Sequence, residues 1–295
     1  DMSVKNYLYL FMSLWLHISC IKEEIKPCPP LQINIAVKDK NYFNINNVEL
    51  EEYKEENLSF REYIPTLYYT LSDLNTGEVI EHKNVFNIIG DEKVYSVGLP
   101  DNIPFGKYVF TVWGGLSDDS PLKDDPQKAI LHIGNRESDD LYLADDTLVY
   151  DAENYLYTVD MERVKGKLIV HLVNLPRSAN HSDNTIDSLF KRVDRHFNYT
   201  ESTSVYKRFD RQDVQETVIK TVLAPSGKDR YSLLKLNFYA TDTYDLPTFS
   251  PKGMNIILKR NELTVLRYVY NGNGEFLIYM LVNDNWEQQH GLVIN

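Results

Sequence analysis

Apolar and polar residues alternate in short runs along most of this chain, the period-two pattern of strands that lay one face on a core. Ile33, Ile35 and Val37 share one face of a first strand, with Asn34 and Ala36 on the other. Residues 67–80 read as a hairpin, two β-prone runs around a turn at Asn75 to Gly77. Residues 95–99 form a short strand stopped by Pro100; Gly106 then turns the chain, and Tyr108, Phe110 and Val112 line one face of the next strand. Further on, Leu168, Val170 and Leu172 alternate, and residues 233–239, 255–258, 264–270 and 275–282 are strands between Gly and Pro turns. Only residues 185–193 carry helical spacing, through Ile186, Leu189 and Val193. Short strands at roughly ten-residue intervals predict an all-β protein built as an antiparallel sandwich. No direct repeat relates the two halves. The boundary is expected within 154–165, where a strand-poor acidic stretch gives way to a fresh alternating strand, which yields units 20–158 and 159–295.

Two stretches, 256–258 and 276–282, are apolar on both faces. Such a strand either lies centrally in a core or has a second face that waits for another chain. Both readings stand at this point.

The first residues follow a different pattern. Lys5 precedes an apolar run from Leu8 to Ile18, then Ser19-Cys20, which is the make-up of a secretory signal over residues 1–19. The run is too short to span a bilayer, which takes roughly 20 residues. A cysteine directly after the expected cut is what a bacterial lipoprotein signal requires, so Cys20 is the expected lipidation site, holding the chain at a membrane. A buried amphipathic helix, or an ordinary signal, is the alternative.

Composition narrows the chemistry. With 295 residues, 43% apolar and 25% charged, the sequence is that of a globular protein. A formal net charge of −12 and the lack of a basic stripe argue against a nucleic-acid partner. With Cys20 lipidated, Cys28 is the only other cysteine, so neither an internal disulfide nor a cysteine metal site is expected; Cys28 is expected to be partly buried. No nucleophile elbow, phosphate loop, zinc-binding helix motif or dinucleotide fingerprint is present. His171, on the polar side of its strand, is expected to be solvated. Four Asp pairs between 118 and 146 match no calcium loop and read as acidic turns. Most of the 21 tyrosines fall at alternating strand positions and are expected to pack, while Trp286 is the aromatic expected to be exposed. No enzymatic activity and no cofactor are expected.

Three stretches carry a family resemblance: Cys20 followed by Lys26-Pro-Cys-Pro29 ahead of the first strand, residues 104–116 with Gly106-Lys-Tyr-Val-Phe-Thr-Val-Trp-Gly-Gly115 at their centre, and residues 141–150, Leu-Tyr-Leu-Ala-Asp-Asp-Thr-Leu-Val-Tyr. They resemble the FimB/Mfa-type minor fimbrial anchor lipoproteins of type V pili. The resemblance implies two tandem transthyretin-like β-sandwich domains, a lipid tether to the outer membrane, and a role in anchoring the fimbrial shaft and limiting its length. Lys22, Glu23 and Glu24 resemble the signal that sends lipoproteins of such bacteria to the cell surface. The implied partners are fimbrial shaft subunits, joined through β-strand addition.

In that pilus class, shaft subunits lose their first strand to an arginine-specific protease. The first arginine here is Arg61, beyond the first strand, so this strand is expected to stay attached. The partner strand is then expected at the C-terminal end: Phe276, Ile278, Met280 and Val282, with Leu292 and Ile294 of the tail. The alternative is that these residues close the second sandwich. A glycan-binding surface lipoprotein is the rival function, since it would share the signal, the sandwich and the tyrosines.

Overall fold

The computed structural model describes residues 28–211 and 216–289. Strands dominate it, as the alternation predicts, but they fall into three sheets. The first has the order β3-β2-β5-β7-β8-β1-β4, formed by β1 (Gln32–Val37), β2 (Thr66–Asp73), β3 (Val79–Asn87), β4 (Tyr95–Ser96), β5 (Gly106–Gly114), β7 (Tyr142–Tyr150) and β8 (Leu156–Arg163). β7 and β8 pair only at Tyr142–Arg163 and Leu143–Glu162. Beyond those pairs the sheet folds over on itself, so its two wings close around Ile33, Ile35, Leu67, Leu71, Phe110, Val112, Leu148 and Met161.

The second sheet has the order β11-β10-β13-β14, with β6 (Lys128–Ile130) added to β10. Its other strands are β10 (His181–Asp194), β11 (Tyr199–Asp210), β13 (Ser232–Tyr239) and β14 (Met254–Ile256). The third, β12-β9-β15-β16-β17, contains β9 (Gly166–Val173), β12 (Glu216–Leu223), β15 (Leu263–Tyr270), β16 (Phe276–Val282) and β17 (Asn285–Gln288). Sheets two and three face each other over Leu168, Val170, Ile186, Leu234, Leu236, Phe238 and Tyr268. Trp113, Leu131 and Leu143 from the first half join this same apolar cluster, so the core is continuous between the halves.

Several expectations need correction. The sandwich is not purely antiparallel: β1 runs parallel to β8 over six residue pairs, and β15 parallel to β9 over seven. Residues 185–193 are not helical but the middle of β10. A bulge between Ile186 and Leu189, with Ser188 at φ +54°, inserts an extra residue and flips the parity, so Ile186, Leu189 and Val193 all face the core from a strand. The acidic stretch 154–165 contains β8, which turns Val159, Met161 and Arg163 inward and Asp160 and Glu162 outward. A division between residues 158 and 159 therefore passes through the middle of β8. The chain leaves the first sheet at Arg163 and enters the third at Gly166.

The Trp-Gly-Gly run is explained by packing. Trp113 is fully buried and donates Nε1–H to the Pro126 carbonyl at 2.9 Å. A Cβ on Gly114 would lie 2.6 Å from Ile64, and Gly115, at φ +84°, approaches the Asp140 carbonyl so closely that a Cβ would sit 2.3 Å from it.

Candidate functional site

The residues singled out in the sequence lie toward the two ends of the chain, and the N-terminal set precedes β1. Leu31, Ile33, Ile35 and Val37 are buried, and the strand is clamped between β8 on one edge and β4 on the other. Ahead of it, the Tyr150 hydroxyl donates to the Pro29 carbonyl at 2.8 Å, with the Phe105 ring packed edge-on against Tyr150. Cys28 is exposed, not partly buried, because it precedes these contacts. Cys20, Lys22, Glu23 and Glu24 lie outside the described residues.

After β1 the chain does not return directly to its own sheet. Residues 38–59 form a strap that crosses to the outer face of the third sheet, where Tyr42, Ile45 and Val48 are buried against Ile169, Leu263 and Val265. Each such apolar side chain taken out of water is worth about 1.5–3 kcal/mol. The Asn44 amide imitates a strand: its Nδ2 donates to the Leu263 carbonyl at 2.9 Å and its Oδ1 accepts the Leu263 N–H at 2.8 Å. Glu51 adds an ion pair to Lys167 at 3.0 Å. The strap ends at the short helix α1 (Phe60–Tyr63), where Arg61 pairs with Asp91 at 2.7 Å. Hollows of about 430 and 290 Å³ flank the strap, the larger lined by Phe43, Val48, Ile257 and Met280. Leu281 of the two-sided stretch 276–282 packs against this strap cluster, while Leu277 and Ile257 stay exposed.

The C-terminal candidates fall on β16. Phe276, Ile278 and Met280 turn into the core shared by sheets two and three, Phe276 stacking on Phe238 with ring centroids 5.3 Å apart. Val282 ends the strand, half-buried. Both edges of β16 are used, by β15 and by β17, so it has no vacant edge for a partner strand. Among the described residues the edge strands of this sheet are β12 and β17, and on β17 Trp286 is half-buried beneath the Arg267 guanidinium, 3.9 Å from its ring. Leu292 and Ile294 lie outside the described residues.

A charged junction fixes the halves together, and sequence reading missed it. Arg163 is buried, donating from Nε to both Asp140 oxygens at 3.2 and 3.0 Å, from Nη1 to Asn261 Oδ1 at 2.7 Å and from Nη2 to the Tyr142 hydroxyl, with its guanidinium carbon 3.9 Å from the Tyr42 ring centroid. Lys165, fully buried, donates to the Leu131 carbonyl and to Ser138 Oγ, both at 2.7 Å; burial brings its pKa down to about 8. His132 accepts the Ala224 N–H at Nε2 and donates from Nδ1 to the Arg136 carbonyl, both at 2.9 Å. Burial, with Lys165 nearby, pushes it down to about 3. His171, expected in solvent, is buried between Glu216 at 3.4 Å and Arg267, whose Nε donates to it at 3.2 Å. The signal for these residues was weak because a lone Arg, Lys or His in an alternating strand looks the same in sequence whether it faces water or a neighbour.

The acidic pairs are caps and ion partners. Asp118 and Asp125 each accept a backbone N–H two residues on, Asp119 accepts that of Val85, Asp139 holds Ser117, and Asp145 pairs with Arg195 at 3.0 Å. Among the described residues no group of three or more His, Cys, Asp or Glu is placed to hold a metal ion.

No protein-family model and no curated protein matches this sequence. Solved structures do match in fold. A candidate adhesin from Bacteroides ovatus aligns at TM-score 0.58 and 14% identity, over 92% of this chain and 98% of its own. A structure from Bacteroides thetaiotaomicron described as a candidate polysaccharide-binding protein aligns at 0.56 and 13%, over 88% and 98%. The fimbrial anchor protein Mfa2 from Porphyromonas gingivalis also matches, at 0.48 and 12%, over 89% and 100%, a score too low to carry an argument. At these identities the likeness establishes a shared fold across nearly the whole chain.

Proposed function

We propose that this chain is a non-enzymatic surface lipoprotein that anchors a fimbrium to the outer membrane and limits its length. The observation that carries the reading is the placement of β1. The strand that follows the lipidation cysteine most closely lies inside the first sheet, between β8 and the short β4, with its inward face buried, so a pull on the tether is borne by the core. No arginine separates Cys20 from Arg61, so an arginine-specific protease has nothing to cut ahead of β1. A cut at Arg61 would remove β1 together with the whole strap. With β1 retained, the place beside β8 that loss of the first strand would open is filled. Shaft subunits would then join by strand addition at the C-terminal end, where β17 presents a free edge just before the β-prone tail that holds Leu292 and Ile294.

Lipidation of Cys20 supplies two acyl chains, the number that stable attachment takes, and Lys22, Glu23 and Glu24 would direct the product outward. The test is fractionation of a Cys20→Ala strain. The protein is expected to leave the membrane fraction and fimbriae to shed into the medium. Retention of Cys20→Ala in membranes, with cell-bound fimbriae, overturns the reading.

A further inference from the structure

The outer face of the second sheet carries a patch whose construction exceeds what a solvent-facing surface needs. Asp183 projects from β10 toward water, yet it is only 7% exposed. Its carboxylate accepts from Asn237 Nδ2 at 3.0 Å, from the Tyr239 hydroxyl at 2.9 Å and from the Tyr206 hydroxyl at 3.3 Å. Tyr206 in turn accepts from Arg208 Nε at 2.8 Å. A second set of contacts converges on Asp210: the Tyr244 hydroxyl donates to it at 2.6 Å and His181 Nδ1 at 2.7 Å. These two hydrogen bonds hold its carboxyl below the usual range, so it stays an anionic acceptor. The Arg208 guanidinium lies 4.2 Å from the Tyr244 ring centroid, which ties the two sets together.

Tyr244 adds a sign of purpose. Its φ is +57°, in the left-handed region that a bulky side chain adopts at a cost of about 1–3 kcal/mol, and such strain gathers at functional sites. Each ring, fork and carboxylate here is fixed by a second contact, which is pre-organisation rather than solubility. What this frame shows to solvent is the Tyr206 ring, 41% exposed, beside Arg208 and Asp210. The last two leave the same face of β11 two positions apart, about 7 Å along the strand.

A flat aromatic ring flanked by a donor fork and an acceptor carboxylate matches the C–H face and adjacent hydroxyls of a sugar ring. Arg208 is balanced by Asp210, so the patch has little attraction for a polyanion. We propose that this outer face is a binding site for uncharged carbohydrate, with a sugar ring stacked on Tyr206 and its hydroxyls held by Arg208 and Asp210. The proposal stands independently of the anchoring function and would add an adhesive surface to it.

The test is affinity electrophoresis and titration calorimetry on the full chain in detergent, with yeast mannan, amylopectin and galactan as neutral probes and polygalacturonate as the anionic one. At least one neutral polymer is expected to bind. Arg208→Ala and Tyr206→Ala are each expected to weaken that binding about tenfold or more, which is about 1.4 kcal/mol or more. Tyr206→Phe, which keeps the ring, is expected to lose less, and melting temperatures within a few degrees of wild type would show that the variants fold. Asp210→Asn provides a further variant that leaves Tyr206 and Arg208 in place. Absence of binding to every neutral polymer, binding by polygalacturonate alone, or wild-type affinity in Arg208→Ala and Tyr206→Ala would each overturn the proposal.

Discussion

Gly115 illustrates how much a single residue decides here. A Cβ at that position meets the Asp140 carbonyl, and Asp140 is the carboxylate that holds buried Arg163, so Gly115→Ala strains the backbone and disturbs the junction between the halves together. A loss of more than about 2 kcal/mol is expected in chemical denaturation. Tyr268 runs the other way: it is fully buried, and its hydroxyl has no hydrogen-bond partner among the described residues. Tyr268→Phe removes an unsatisfied polar group and is expected to leave stability unchanged or raise it by up to about 1 kcal/mol. His132 sets the acid response. Both ring nitrogens are committed in the neutral form, and protonating Nε2 would aim a proton at the Ala224 N–H. Its folded pKa of about 3 lies below the ordinary 6.5, so between those values the unfolded chain binds the extra proton. Stability is therefore expected to fall as pH drops below about 6.5, by at most about 1.4 kcal/mol per pH unit. Denaturation midpoints at pH 7, 5 and 4 check this, and the slope is expected to flatten in His132→Gln. The Trp-Gly-Gly run was legible because glycine beside a large aromatic marks close packing. Arg163, Lys165 and His132 were not, since pairing across 23 to 92 positions leaves no local trace.

At the level of elements, alternation located most strands within a few residues and failed where the chain broke its own period. β10 looked helical because a bulge changed the parity of its inward residues, and β8 looked like a loop because its acidic positions all face outward. The parallel β1–β8 and β9–β15 pairings were out of reach, since local patterning does not encode which strands become neighbours. The strap is the largest element without a sequence signal: no regular period runs through residues 38–59, yet Tyr42, Ile45 and Val48 close the outer face of the third sheet. A carboxylate placed among them should lift the strap without touching β1. Val48→Asp is expected to cost about 2–4 kcal/mol and to speed hydrogen exchange across residues 40–51, while the β1 amides stay protected. Equal deprotection of β1 would mean that strap and strand open as one unit.

On the scale of the whole molecule, the continuous core and the Arg163–Asn261 hydrogen bond join the two halves along one path, from β1 and β8 into β9 and β15. The all-β fold followed from the sequence because every second residue needs to be apolar in a strand that covers a core. For the partner strand expected at 276–282, a strand apolar on both faces reads alike in sequence whether its second face meets another protein or this chain, and in the structure both of its edges are paired, by β15 and by β17. The central claim is that the first strand stays with the tether in the surface protein. Mass spectrometry of the N-terminal peptide, on protein recovered from the outer membrane, measures it directly. The account predicts a diacylglyceryl-modified Cys20 joined to an uncut β1. A mature terminus at or beyond Arg61, with no lipid, would contradict it and make this chain a shaft or tip subunit.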